Sequence, residues 1–166
     1  MHGNQRQTDW AYMAGIMDAD GCFMITKHNR KWKGHKISPT YLPCLKISMV
    51  EEEAIQFITD DMNIGNYKLD RTRKRNYPDG RTFGSKPLFD WFIRNRKQLI
   101  PVLEQLIPYL KVKKNRAIHL LNYCKNVFIK NRGNNRIPEE ELNYREDAYL
   151  RMRKFNGSKV AATTES

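Results

Sequence analysis

Two aspartates, Asp18 and Asp20, follow directly on an apolar run at residues 10–17 that is typical of a buried helix. A helix C-terminus carries about half a negative charge, so a surface carboxylate there is disfavoured by about 0.3 to 1 kcal/mol. We therefore predict that a cationic group compensates the two acids. Gly21 is the residue type best able to leave the helix with a positive φ. The β-prone residues 22–26 then predict a strand.

The predicted helix has two different faces. One carries small side chains at the spacing i, i+3, i+4 and i+7, which lets another backbone approach closely. Its residues are Ala11, Ala14, Gly15 and Asp18. The opposite face carries the bulky Trp10, Met13 and Met17, which suit the chain's own core. The small face is therefore a candidate contact with a second helix.

Residues 13–21 resemble the signature of the LAGLIDADG homing endonucleases, with Met13 in place of the first leucine and Met17 in place of the aliphatic residue before the first aspartate. At the level of pattern the resemblance extends over residues 8–131. It implies an α+β fold in the order αββαββα, with a saddle-shaped antiparallel sheet and additional C-terminal helices. We expect one domain over residues 1–155 and a disordered tail over residues 156–166.

The resemblance also implies site residues. Asp20 and the backbone carbonyl of Ala19 would bind the catalytic metal, and Lys113 would be the basic catalytic residue. Phosphate contact or capping of the preceding turn is an equally weighted role for Lys113. A polar position of the family falls on Met49, so either Ser48 or Glu51 substitutes for it or that function is missing in this chain. The chain has one copy of the motif, so the resemblance implies a homodimer whose two motif helices pack together through Ala11, Ala14, Gly15 and Asp18.

The implied activity is site-specific cleavage of double-stranded DNA in a long pseudo-palindromic site, with hydrolysis of phosphodiester bonds and short 3′ overhangs. Oxygen ligands suit Mg²⁺; we expect Mn²⁺ to substitute and Ca²⁺ to bind without supporting cleavage. Two other functions on the same scaffold stay open. One is an intron-splicing maturase that binds structured intron RNA, and the other is a DNA-binding regulator that has lost cleavage.

Composition agrees with a nucleic-acid partner. The 166 residues include 30 Lys and Arg against 18 Asp and Glu, a net charge of +12 that favours polyanions, although a merely basic surface would give the same balance. No apolar run approaches the roughly 20 residues of a membrane span, and we expect an intracellular protein that does not bind membranes. The three cysteines and four histidines show no zinc-ligand or disulfide spacing.

The remaining pattern predicts the elements that position these residues. Strands are expected at residues 21–30 and 41–49, joined by a mobile basic loop at residues 31–39. Ser48 and Glu51 have the spacing of a capping box before a helix. A long hairpin is expected over residues 66–93 with its turn at residues 78–80. Three further helices are predicted, listed in order: one opened by Asn95 and kinked or shortened by Pro101, one over residues 113–129, and one after Pro138.

DNA recognition is expected from alternate residues of these strands, since an antiparallel ribbon fits the wide major groove. Thr26, His28 and Arg30 match family positions that reach base edges. Lys46 and Cys44 alternate away from a predicted core pair, Leu45 and Ile47. The alternation of residues 67–75 does not identify which face of that strand is buried. The predicted DNA-binding residues are Thr26, His28, Arg30, Lys33, Lys46, Lys68, Arg71, Arg73, Lys74 and Arg75.

Overall fold

The structure of the chain is a computed structural model. The structure describes residues 2–29, 31–32, 35–36, 38–70, 74–76, 78–80, 82–84, 87–127 and 137–157. Within these ranges five α-helices and eight strands alternate, and four of the strands form one antiparallel sheet. The predicted α+β class and the order αββαββα are confirmed, with two further helices at the C-terminal end.

The helices lie close to the predicted segments. They are α1 (His2–Ala19), α2 (Glu52–Gln56), α3 (Arg96–Leu106), α4 (Lys114–Asn126) and α5 (Glu139–Phe155). A π-helical turn, Phe57–Asp61, continues α2. Asn95 caps α3 by accepting a hydrogen bond from the Lys97 backbone at 2.9 Å. Pro101 lies inside the eleven residues of α3 and does not end the helix.

The strands of the main sheet are β1 (Cys22–His28), β4 (Thr40–Met49), β5 (Asn66–Asp70) and β8 (Leu88–Ile93). Their order across the sheet is β1-β4-β8-β5, and every neighbouring pair is antiparallel. Two short hairpins extend from it: β2 (Lys31–Trp32) with β3 (His35–Lys36), and β6 (Lys74–Asn76) with β7 (Thr82–Gly84). The turn between β6 and β7 contains Gly80 at φ +82, as predicted for this hairpin tip.

Two local predictions were wrong. The segment predicted as a loop between the first two strands contains the paired strands β2 and β3, because strand pairing continues past the main sheet. Ser48 does not open a capping box: it lies in β4, and α2 begins after Glu51 without a side-chain cap. The disordered tail expected over residues 156–166 stays a prediction. Of its residues, Asn156 donates a hydrogen bond to the Phe23 carbonyl at 2.9 Å, and residues 158–166 lie outside the described residues.

One face of the sheet packs against the helices and forms the core. β4 and β8 contribute alternate side chains to it, including Leu45, Ile47 and Trp91, all of which are fully buried. This alternation confirms the predicted core pair of β4 and also settles β5, where Tyr67 packs towards the core and Lys68 lies on the other face. We call the face opposite the core the open face. It carries the even-numbered residues of β1, β4, β5 and β8.

No helix in the described ranges is long and apolar enough to cross a membrane.

Candidate active site and nucleic-acid interface

The motif places its two acids at the end of α1. The helix ends at Ala19, and the Asp20 backbone donates a last helical hydrogen bond to the Ile16 carbonyl at 2.8 Å. Asp20 is exposed in the turn that follows, and β1 begins two residues later. Among the described residues the Asp20 carboxylate has no hydrogen-bond or salt-bridge partner. Its oxygens are therefore not engaged by any residue that the structure describes.

Gly21 makes this turn possible through its lack of a side chain. The predicted positive φ is wrong, since the glycines with positive φ in the described residues are Gly65, Gly80 and Gly157. A Cβ at Gly21 would instead lie 2.3 Å from Met17 Cε and 2.6 Å from Met17 Cα. Because one of these contacts is with backbone, a larger residue would force the chain to move. Glycine is needed here for close approach between the turn and the helix.

Asp18 is bound within its own chain. Its carboxylate accepts hydrogen bonds from the backbone N–H groups of Lys111 at 2.7 Å, Val112 at 3.2 Å and Lys113 at 2.8 Å. Burial would raise the pKa of Asp18, but these three donors and the Lys113 charge outweigh burial and lower it. Both carboxylate oxygens of Asp18 therefore hold α1 to the segment before α4, and the place of Asp18 in a dimer interface stays a prediction.

Lys113 is the cationic partner that the acidic helix end required. Its ammonium donates to three backbone carbonyls, those of Met17 at 3.1 Å, Ala19 at 3.0 Å and Gly21 at 2.8 Å. The Met17 and Ala19 carbonyls belong to the negative end of the α1 dipole, where a lysine is favourable, and the Gly21 carbonyl belongs to the turn that follows. Burial and the Arg116 charge lower the pKa of Lys113, while Asp18 and Asp20 oppose that shift. Lys113 therefore stabilises the helix end and stands beside both acids.

The small-residue face of α1 is partly exposed. Ala11 and Gly15 are exposed, and a Cβ added at Gly15 would meet no atom within 4 Å. Ala14 does not belong to this face: it is 1% exposed and lies in the chain's own core with Met13 and Met17. The spacing i, i+3, i+4 and i+7 assigned Ala14 to the small face. The core, however, covers α1 over a wider arc than the bulky residues alone indicate.

Four of the predicted DNA-binding residues lie on the open face. Thr26 and His28 lie there on β1, Lys46 on β4 and Lys68 on β5. Thr26 Oγ1 donates to the Leu42 carbonyl across the strand pair at 3.2 Å. Lys74 and Arg75 lie in the backbone of β6. Four predicted residues lie outside the described residues: Arg30, Lys33, Arg71 and Arg73.

Asp90 is a charged residue of the open face that sequence reasoning missed. It lies on β8, opposite Ser48 and Lys68, and is 5% exposed. Its carboxylate accepts a hydrogen bond from Ser48 Oγ at 2.6 Å and pairs with the Lys46 ammonium at 2.7 Å. The available signal was the position of a single acid between the aromatic residues Phe89 and Trp91, which alternation assigns to the other face.

Comparisons with solved structures identify the fold. The homing endonuclease I-CvuI, in complex with the I-CreI target, has a TM-score of 0.60 at 20% identity, covering 98% of this chain and 88% of that chain. The archaeal intron-encoded homing endonuclease I-Vdi141I, complexed with DNA, has a TM-score of 0.64 at 14% identity, covering 96% and 91%. The group I intron-encoded homing endonuclease I-CeuI, also complexed with DNA, has a TM-score of 0.60 at 15% identity, covering 92% and 69%.

This chain has the fold of the homing endonucleases, as the motif at residues 13–21 implied. No protein-family model matches the chain, and no curated protein matches it. The architecture therefore identifies the fold, and the site residues have to indicate the function.

Proposed function

We propose that this chain is a homodimeric, Mg²⁺-dependent, site-specific DNA endonuclease. The observation that carries the proposal is the state of Asp20, an exposed carboxylate without a protein partner in the described residues, at the end of a helix whose small face is open. The homing endonucleases of the same fold were solved in complex with DNA, one of them in the presence of Mg²⁺. These structures support duplex DNA as the substrate.

The donor chemistry of the helix end fits a hard divalent cation. Asp20 and the Ala19 carbonyl would hold it through oxygen atoms, the ligand type that Mg²⁺ prefers. When bound, the cation would supply charge stabilisation at the phosphodiester and activation of water. Lys113 already touches the Ala19 carbonyl at 3.0 Å, so it would orient that oxygen and add positive charge beside the scissile phosphate.

A second copy of the chain would complete the site. In the described part of one chain, no three His, Cys, Asp or Glu side chains come together as a metal-binding group. Pairing of two α1 helices through Ala11 and Gly15 would bring two Asp20 carboxylates to the twofold axis. A twofold arrangement would also provide one acidic helix end for each strand of the duplex, consistent with a cut in both strands.

Binding would use the open face of the sheet, where Lys46 and Lys68 lie with Thr26 and His28. Two copies of a chain with a net charge of +12 would supply the positive field that draws in duplex DNA. Side chains on alternate positions would reach base edges in the major groove, and the basic residues Lys74 and Arg75 of β6 would reach phosphates.

The first test replaces Asp20, the acid without a hydrogen-bond partner among the described residues. We expect Asp20→Asn to lower the rate of Mg²⁺-dependent cleavage by at least about 100-fold, because the variant loses a charged ligand in the site. Cleavage would be measured on a randomised duplex library with mapping of the cut ends, and binding on the selected site. Asp147→Asn, an exposed acid on α5, is the matched control and should cut normally. Undiminished cutting by Asp20→Asn would refute the assignment.

The second test concerns the helix pair. We expect Gly15→Leu to shift the dimer towards monomer in sedimentation, because the new side chain would separate two closely packed backbones. It should not unfold the monomer, since a Cβ at this position meets nothing in the chain itself. Asn122→Leu adds the same side chain to an exposed site on α4 and should leave the dimer intact. A Gly15→Leu protein with unchanged sedimentation would show that this face is not the interface.

A further inference from the structure

Asp90 is an unusual residue for a surface that binds a polyanion. Among the described residues it is the only buried polar or charged side chain, and it lies on the open face of the sheet. A buried carboxylate is costly unless it is paired and hydrogen-bonded. A negative charge at this place would also repel phosphate. The residue therefore needs an explanation beyond core packing.

Both oxygens of Asp90 are occupied by side chains of β4. Oδ1 accepts the Ser48 hydroxyl at 2.6 Å, and Oδ2 pairs with the Lys46 ammonium at 2.7 Å. Burial would raise the pKa of Asp90, but these two hydrogen bonds and the charges of Lys46 and Lys68 lower it, so the carboxylate is ionised at neutral pH. Asp90 itself is too buried to contact a base.

Lys46 is held in one place by this pair while its outer part stays accessible. Its side chain is 34% exposed, compared with 7% for Asp90. An ammonium has three N–H donors, so a single bond to Asp90 leaves two that can point outwards. A lysine without such a partner would sample many rotamers and would contact phosphates wherever they lie. A lysine fixed by a buried carboxylate presents its donors at one point of the face.

We propose that Asp90 is a positioning residue for base recognition, which holds Lys46 at the centre of the open face so that Lys46 donates to a base edge instead of a phosphate. The acceptors that suit it are N7 and O6 of guanine in the major groove. Ser48 fixes the other oxygen of the carboxylate and so fixes its orientation. The inference depends on the proposed function, because it assigns roles within the DNA-binding surface.

Replacing Asp90 should change DNA affinity in different directions depending on whether Asp90 positions Lys46 or merely stabilises the sheet. The Lys46–Asp90 pair has no net charge, so it adds little to phosphate binding. Removing the negative charge would release Lys46 to phosphates. Non-specific binding would then become stronger, its salt dependence steeper and its base discrimination weaker. A residue that merely stabilised the sheet would weaken specific and non-specific binding together when replaced.

The experiment uses the full chain and two duplexes, one selected from a randomised library and one of unrelated sequence. Affinities are measured in EDTA at several salt concentrations. For Asp90→Asn we expect the slope of log affinity against log salt to steepen by about one unit per chain, and the ratio of specific to non-specific affinity to fall by about tenfold. Unchanged slope and unchanged ratio would overturn the proposal, as would an equal loss on both duplexes.

Lys46→Gln provides an independent test should Asp90→Asn fail to fold. A lysine that reads a base should lose discrimination by about tenfold with little change in salt slope. A lysine that serves a phosphate should lose about one unit of slope per chain with no change in discrimination, and that result would overturn the proposal. If the wild-type chain selects no duplex from the library, the proposed function fails, and this outcome is distinct from failure of either variant.

Discussion

The carboxylates at the acidic end of α1 and at the charged centre of the open face are held by different kinds of hydrogen-bond donor. Asp18 is bound by three backbone N–H groups of residues 111–113. Asp90 is bound by the side chains of Lys46 and Ser48. Asp20, next to the first of these clusters, has no partner among the described residues.

The difference indicates what each acid can do. Backbone donors cannot turn away without unfolding the segment that carries them, so Asp18 is a structural anchor. Asp90 is held by side chains, and its pairing with Lys46 keeps that ammonium in one place while part of the lysine stays exposed. An exposed acid without a donor is the one that an external cation can use. Asp18, Asp20 and Asp90 therefore differ in role because they differ in their hydrogen-bond donors.

The largest effect that this comparison predicts is on stability. We expect Asp18→Asn to lower the free energy of unfolding by about 2 kcal/mol, because an amide accepts the three N–H groups more weakly and presents one donor to them. Chemical denaturation at pH 7 would measure the loss. Asp20→Asn is the control and should change stability by less than about 0.5 kcal/mol. If both variants lost the same free energy of unfolding, Asp18 would not be the structural acid of the two.

A comparable but somewhat smaller effect is expected at the turn that separates the acids from β1. Gly21→Ala places a Cβ within 3 Å of the Met17 side chain and backbone, so we expect a loss of about 1 to 2 kcal/mol. Thermal melting would measure it. Gly80→Ala is strained for a different reason, since Gly80 has φ +82 and open space around it. A Gly21→Ala protein with the stability of the wild type would show that the turn relaxes freely.

The smallest effect concerns a carboxylate held by side chains on the core side of the sheet. Glu146 on α5 accepts a hydrogen bond from Tyr41 and pairs with the Lys27 ammonium at 2.6 Å, which lowers its pKa although burial would raise it. A lowered folded-state pKa gives stability that is present above the unfolded value, near pH 4.5, and is lost as the pH falls through the folded value. Glu146→Gln should therefore cost about 1 kcal/mol at pH 7.

That cost should shrink as the pH is lowered, because the wild-type carboxyl becomes neutral while glutamine does not titrate. Denaturation at pH 7 and near pH 3 would test this, with the exposed neighbour Asp147→Asn as the matched variant. A cost that stays constant over this range would mean that packing, and not charge, accounts for the contribution of Glu146.

Much of the architecture could be predicted from local sequence information. The motif at residues 13–21, the alternation of β4 and the turn at residues 78–80 all depend on near neighbours in the chain, and each led to the observed element. Ala14 was misplaced because a helix repeat does not state how wide an arc the core will cover. The role of Gly21 was misread because its nearest contact is a side chain whose rotamer only the folded chain fixes.

The sequence by itself determined that an apolar helix ends in two acids, that a twisted sheet follows, and that the surface is strongly basic. The tertiary structure decided that Asp18 is hydrogen-bonded within the chain and that Asp20 has no such partner among the described residues. Lys113 lies 95 residues from Asp18, and Asp90 lies 42 residues from Ser48. A carboxylate's chemistry depends on the donors that folding brings within about 3 Å, and the order of residues along the chain does not specify those donors.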